Sequence, residues 1–241
     1  MVATSTTGVR GIGLRWGCKP LRPSNLIRVI PAKEVRSIVL PRIHCITDFP
    51  CTERETLDRL ADVVDEGVDA VQIRAKHLND RDLLAFTRMV IDRLRTTSAK
   101  VIVNDRLDIA LAAGADGVHL GLDDLPVTDA RRIAPAGFLI GGTCRTSEHA
   151  KRAKAEGADY VGVGPVYPTT TKDGLPDPIG LETLREIAKI LPAIAISGIN
   201  ADRVPDVMSA GAYGVAVVGA ISRADHPRHA AKEIVDAVLG A

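Results

Sequence analysis

At 241 residues the chain has room for one large domain or two small ones, and an apolar share of 46% is enough to fill a core. One Trp, three Tyr and three Phe are too few for a base-stacking nucleic-acid platform. No apolar run reaches the roughly 18 residues that span a bilayer, and Cys18, Cys45, Cys51 and Cys144 show neither a CxxC zinc spacing nor a disulfide framework. The net charge of +1 is unevenly spread: residues 1–42 hold eight Lys or Arg against one acid, and the rest holds 23 bases against 29 acids.

Residues 1–40 read as a basic extension without regular structure, rich in Ser, Thr, Gly, Pro and Arg. They lack the continuous apolar core of a secretory signal. Their acid-poor composition fits a transit peptide, a disordered arm or a leader upstream of the true start. The cytoplasm is the default compartment, and association with further copies of the chain stays open.

From Arg42 onward short apolar runs alternate with amphipathic segments. Strands are expected at 42–47, 69–74, 100–104, 116–120, 138–142, 159–164, 193–197 and 214–218. Helices are expected at 53–66, 79–96, 106–113, 127–134, 147–156, 181–190, 201–210 and 227–239. About 25 residues per βα unit, eight times over, is the rhythm of a single (β/α)8 TIM barrel over residues 41–241. An internal repeat supports it. Gly67-Val68-Asp69, Gly114-Ala115-Asp116, Gly157-Ala158-Asp159 and Gly211-Ala212-Tyr213 each place Gly where a helix needs a left-handed end, just before a strand. A doubly wound open sheet is the competing fold, but the first strand is followed by no Gly-rich dinucleotide turn.

Barrels of this kind work at the C-terminal ends of their strands. The second strand ends in Val71-Gln72-Ile73-Arg74-Ala75-Lys76, so Gln72, Arg74 and Lys76 share one face and Ile73 and Ala75 the other. Two cations on one face of a core strand are costly without an anion, which points to a phosphate or diphosphate. The bland alternative is a solvated edge. After the third strand comes Asn104-Asp105-Arg106, and after the fourth His119-Leu120-Gly121-Leu122-Asp123-Asp124. Acids on adjacent strand ends suit Mg2+, which takes one or two carboxylates and completes its shell with phosphate oxygens. Otherwise Asp105 is a helix N-cap and Asp123 and Asp124 a solvated turn.

After the sixth strand, Thr169-Thr170-Thr171-Lys172 lies in a Pro-bounded loop, a source of hydrogen-bond donors for phosphate oxygens and long enough to be a lid. The seventh and eighth strands end in Ser197-Gly198-Ile199 and Val217-Val218-Gly219, where barrels often hold a phosphate monoester. Two anion sites and a cation suggest transfer of a group from a diphosphate onto a phosphorylated acceptor. His119 and Cys144 read as packing residues.

As an ordered set these segments, from Val71 through Ser197-Gly198-Ile199, resemble the thiamine-phosphate synthase family of TIM barrels, over about residues 42–225. The resemblance implies a transferase of thiamine biosynthesis. Gln72, Ile73, Arg74, Ala75, Lys76, Asn104, Thr143 and Lys172 would hold the aminopyrimidine diphosphate, with Arg74, Lys76, Lys172 and Thr143 as the catalytic groups. Asp105 and Asp124 would bind Mg2+, and Thr169, Thr170, Thr171, Gly198, Val218 and Gly219 the thiazole phosphate. Diphosphate would leave first, giving a pyrimidine methylene cation that the thiazole nitrogen captures. The chain departs from the family's usual residues at His44 (Tyr), Ala75 (Glu), Leu122 (Gln), Arg145 (His) and Ser197 (Gly). The related thiazole tautomerase, an isomerase, is the first alternative; it tends to lose the acids that this chain keeps. A non-catalytic phosphate-binding barrel is the second.

Overall fold

The computed structural model describes residues 39–48, 53–171 and 174–241; the expectation for the basic extension falls almost wholly outside them. Eight parallel strands close into a barrel in sequence order: β1 (Ile43–Ile46), β2 (Ala70–Ile73), β3 (Lys100–Asn104), β4 (Gly117–Leu120), β5 (Leu139–Cys144), β6 (Tyr160–Val163), β7 (Ala193–Ile196) and β8 (Gly214–Val217). Helices α1 (Glu53–Asp65), α2 (Asp80–Leu94), α3 (Leu107–Ala113), α4 (Val127–Ile133), α5 (Ser147–Glu156), α6 (Gly180–Ala188), α7 (Val204–Ser209), α8 (Gly219–Ser222) and α9 (Pro227–Leu239) follow in order.

Strands sandwiched between a barrel interior and a helical layer are buried on both faces, and so read as unbroken apolar runs. Ile46, Ala70, Ile102, Tyr160, Ile194 and Ala216 fill the interior. The alternate residues, such as Val71, Val103 and Val118, pack outward with Leu60, Leu184 and Ile234 in the larger outer core. Two helices begin where side chains supply the missing acceptor: Asn79 Oδ1 accepts from the Asp82 N–H at 3.0 Å, and Thr146 Oγ1 from that of His149 at 3.2 Å.

The fourfold repeat has a physical reason. Gly67, Gly114, Gly157 and Gly211 all have φ between 79° and 108°, the conformation that favours Gly. The residue two places on then bonds back to the preceding strand. The N–H of Asp69, Asp116, Asp159 and Tyr213 donates to Ile43, Val101, Ile140 and Ala193 respectively. Three of the four return the bond through a carboxylate, which accepts the N–H of Ile43 (2.7 Å), Val101 (3.0 Å) and Ile140 (2.7 Å). Tyr213 breaks the pattern and donates its hydroxyl to the Leu40 carbonyl at 2.8 Å. This belt closes the N-terminal end of the barrel, away from the site.

The expected elements are present, β3, α5 and α9 at the expected bounds and the others with ends shifted by one to a few residues. The helix expected at 201–210 is instead a 3-10 turn, Ala201–Arg203, leading into α7, and α8 was not anticipated.

Candidate active site

The C-terminal mouth of the barrel opens into a cavity of about 450 Å³. One arc of its wall comes from β2 to β5. Gln72, Arg74 and Lys76 all line it, as the alternation predicts. Ile73 and Ala75 do not: their side chains pack in the outer core, so their expected substrate contact is not made by side chains. β2 ends at Ile73, and beyond it Thr47 ties down the backbone of Arg74. The Arg74 N–H donates to Thr47 Oγ1 at 2.8 Å, and that hydroxyl donates to the Arg74 carbonyl at 3.1 Å. Lys76 sits in the following turn.

Asn104, Asp105, Gly121 and Thr143 continue the arc. Asp105 has φ +66° and its N–H donates to the His119 carbonyl at 2.8 Å, a left-handed strand end uncommon for a non-Gly residue. It does not cap α3, whose N-cap is Arg106, without a side-chain cap bond; its carboxylate meets Lys76 Nζ at 3.2 Å instead. Asp124 stands just behind the wall, its Oδ2 accepting the Gly121 N–H at 2.6 Å. Burial, then the hydrogen-bonding carboxyl of Asp105, push the Asp124 carboxyl above its ordinary range. Asp123 is exposed. Among the described residues no group of three or more metal-ligating side chains occurs. Two adjoining carboxylates whose mutual repulsion a cation would relieve fit Mg2+, which needs only one or two from the protein.

The other arc comes from β6 to β8. Thr169, Thr170, Thr171, Gly198, Val218 and Gly219 all line the same cavity. The Thr171 N–H donates to Thr169 Oγ1 at 3.2 Å, and the loop is drawn along β7 where Val166 and Tyr167 donate to Ile196 and Ser197 carbonyls. Gly198 is demanded twice, by φ +67° and by a Pro168 carbonyl oxygen 2.6 Å from where a Cβ would stand. Ser197 holds φ +78° beside it with a side chain. Thr171 Oγ1 lies 3.4 Å from the Cβ position of Gly219, the first residue of α8, so the loop meets the end of β8. Lys172 lies outside the described residues.

The floor was not read from the sequence. His119, expected as packing, lines the cavity with its Nε2 3.2 Å from Thr143 Oγ1 and its Nδ1 3.3 Å from the Tyr160 hydroxyl. His44 meets the same Tyr160 ring edge-on, 5.3 Å between centroids. Its Nε2 lies 3.2 Å from the Pro41 carbonyl; a carbonyl only accepts, so Nε2 carries the proton. Burial pushes both imidazoles down to about 4, so both are neutral near pH 7. Cys144 is buried among apolar residues as expected, its thiol pushed up to about 11 by burial. Arg145 and Arg223 also line the cavity. The period-2 pattern of β1, β4 and β6 could have placed His44, His119 and Tyr160 inward, but not against one another.

The thiamine monophosphate synthase family model matches residues 43–221. A thiamine-phosphate synthase of Methanoculleus marisnigri is 48% identical over 177 residues, covering 73% of this chain and 84% of the relative. One from Salinispora arenicola is 44% identical over 203 residues, 83% of this chain and 98% of the relative. Among solved structures, thiamine phosphate pyrophosphorylase from Pyrococcus furiosus superposes with a TM-score of 0.74 at 34% identity, over 83% of this chain and 96% of that one. A 3-hexulose-6-phosphate synthase at 21% identity and TM-score 0.64 shares the barrel alone.

Proposed function

The chain belongs to the thiamine monophosphate synthase family, and we propose that it condenses 4-amino-2-methyl-5-(diphosphooxymethyl)pyrimidine with thiazole phosphate to thiamine phosphate and diphosphate, or with its 2-carboxylate to the same products and CO2. One observation carries this reading: two anion-binding arcs, one cationic with paired acids and one of hydroxyls and Gly backbone, face each other across a single cavity.

Arg74, Lys76 and Asn104 would hold the diphosphate, with Gln72 offering its amide to the pyrimidine below. Asp105 and Asp124 would hold Mg2+, which when bound neutralises charge on the departing diphosphate. Arg74, Lys76 and Lys172 would stabilise the electron pair that leaves with that group. Thr169, Thr170, Thr171 and the backbone at Gly198, Val218 and Gly219 would fix the thiazole phosphate so that its ring nitrogen approaches the methylene carbon. Thr143, 3.2 Å from a neutral His119, would orient the pyrimidine. Free Cys45 and Cys144 suit a reducing compartment, so we place the protein in the cytoplasm.

Incubation of the purified protein with both substrates and Mg2+, followed by mass spectrometry, tests the assignment. Thiamine phosphate with equimolar diphosphate is expected. Isomerisation of a thiazole carboxylate without diphosphate release would favour the tautomerase, and no turnover of either kind a binding barrel.

A further inference from the structure

The cavity holds more positive charge than the acids in its wall neutralise. Lys76 is paired with Asp105 at 3.2 Å and Arg223 with Asp48 at 2.6 Å. Arg74 and Arg145 also line the cavity, yet among the described residues neither has a carboxylate within 4.0 Å. Arg145 is the more unusual of the two. Its Nε is sealed from solvent and bonds to no acceptor among the described residues, so neither solvent nor a recorded protein group satisfies that donor. A guanidinium stays charged and carries five N–H donors, and leaving a buried donor unmet is costly. Because this guanidinium also lines the cavity without a carboxylate partner, its charge is left for an anionic ligand to meet.

Its position says which ligand. Register on β4 and β5 pairs His119 with Gly141 and Leu120 with Gly142, and continuing it puts Arg145 beside the Gly121–Asp124 turn. Arg74 leaves β2 on the opposite flank of Asp105. The two unpaired guanidiniums thus bracket the paired acids, in the arc where the diphosphate would sit, and guanidiniums favour bidentate contact with phosphate oxygens.

We propose that Arg145 is a second diphosphate-binding guanidinium, closing on the leaving group from the side opposite Arg74; this rests on the synthase reading above. As the methylene C–O bond breaks, its electron pair departs with the diphosphate and Arg145 donates N–H bonds to that oxygen-rich group. The new C–N bond takes its electron pair from the thiazole nitrogen.

Calorimetric titration of inorganic diphosphate with Mg2+ into wild type, Arg145→Met and Arg145→Lys, alongside KM for each substrate, tests this. Arg145→Met should weaken diphosphate binding about tenfold or more, raise KM for the pyrimidine diphosphate, and leave KM for the thiazole phosphate within about twofold. Arg145→Lys should recover part of the loss. Wild-type diphosphate affinity in Arg145→Met, or a change confined to the thiazole KM, would overturn the assignment while leaving an active synthase. A wild-type protein that neither binds diphosphate nor forms thiamine phosphate would overturn both readings.

Discussion

Asp124 leaves β4 with its carboxyl beside that of Asp105 at the end of β3, and burial together with that neighbour holds Asp124 above the ordinary aspartate range. Lys76 reaches Asp105 at 3.2 Å from β2. Three adjacent strand ends thus combine into one charged unit, a cation and two carboxyls in contact at the mouth of the barrel.

Asp105→Asn separates charge from backbone. Asn tolerates the left-handed conformation that Asp105 holds at φ +66°, so the circular dichroism spectrum and melting temperature should stay near wild type. Loss of the carboxylate should lower kcat/KM by about 100-fold or more, the scale of losing one stabiliser of developing charge. Near-wild-type turnover would remove the metal role.

Asp124→Asn should act in opposite directions with and without Mg2+. Asp124 has a raised folded pKa, so the folded state binds more protons and stability falls as pH rises through that window. At neutral pH without Mg2+ the variant should therefore melt slightly higher, by no more than about 1 kcal/mol after solvent screening. Added Mg2+ should raise the melting temperature of wild type and not of the variant. Differential scanning calorimetry with and without EDTA reads both.

The two imidazoles of the floor have the reverse sign. His44 and His119 sit at about 4 against 6.5 unfolded, so the unfolded chain binds more protons and stability is lost as pH falls from 6.5 toward 4. Nitrogen-15 spectra should show both rings neutral at pH 6, with His44 protonated at Nε2. Titration of either ring near 6.5 would contradict the geometry of the floor.

Asp159→Ala tests the belt at the other end. It removes the acceptor of the Ile140 N–H at 2.7 Å and leaves Arg131 without its partner carboxylate. A loss of about 2–3 kcal/mol is expected, a fall of roughly 5–10 °C in a chain this size. KM for both substrates should be unchanged at temperatures where the variant is folded.

Much of this was legible because it is local. The Gly repeat announced the left-handed helix ends, and the alternation of Gln72, Arg74 and Lys76 announced a shared face even though the strand stops at Ile73. Asp105 had an equally plausible local role as a helix cap, and only the structure, with Arg106 at that position, removes it. Contacts between distant strands were not legible. Thr47 holding Arg74, Tyr160 set between His44 and His119, and Thr171 arriving at Gly219 each depend on barrel closure. Arg145 stood out in the sequence only as a departure from family usage, because an unpaired guanidinium is a property of its surroundings.

The central claim is that one cavity joins a pyrimidine diphosphate to a thiazole phosphate with loss of diphosphate. Continuous measurement of diphosphate release, omitting one component at a time, tests it most directly. Steady release matched mole for mole by thiamine phosphate, and abolished when the pyrimidine diphosphate, the thiazole phosphate or Mg2+ is withheld, is the predicted result. Undiminished release without the thiazole phosphate, or none with all components present, would contradict it.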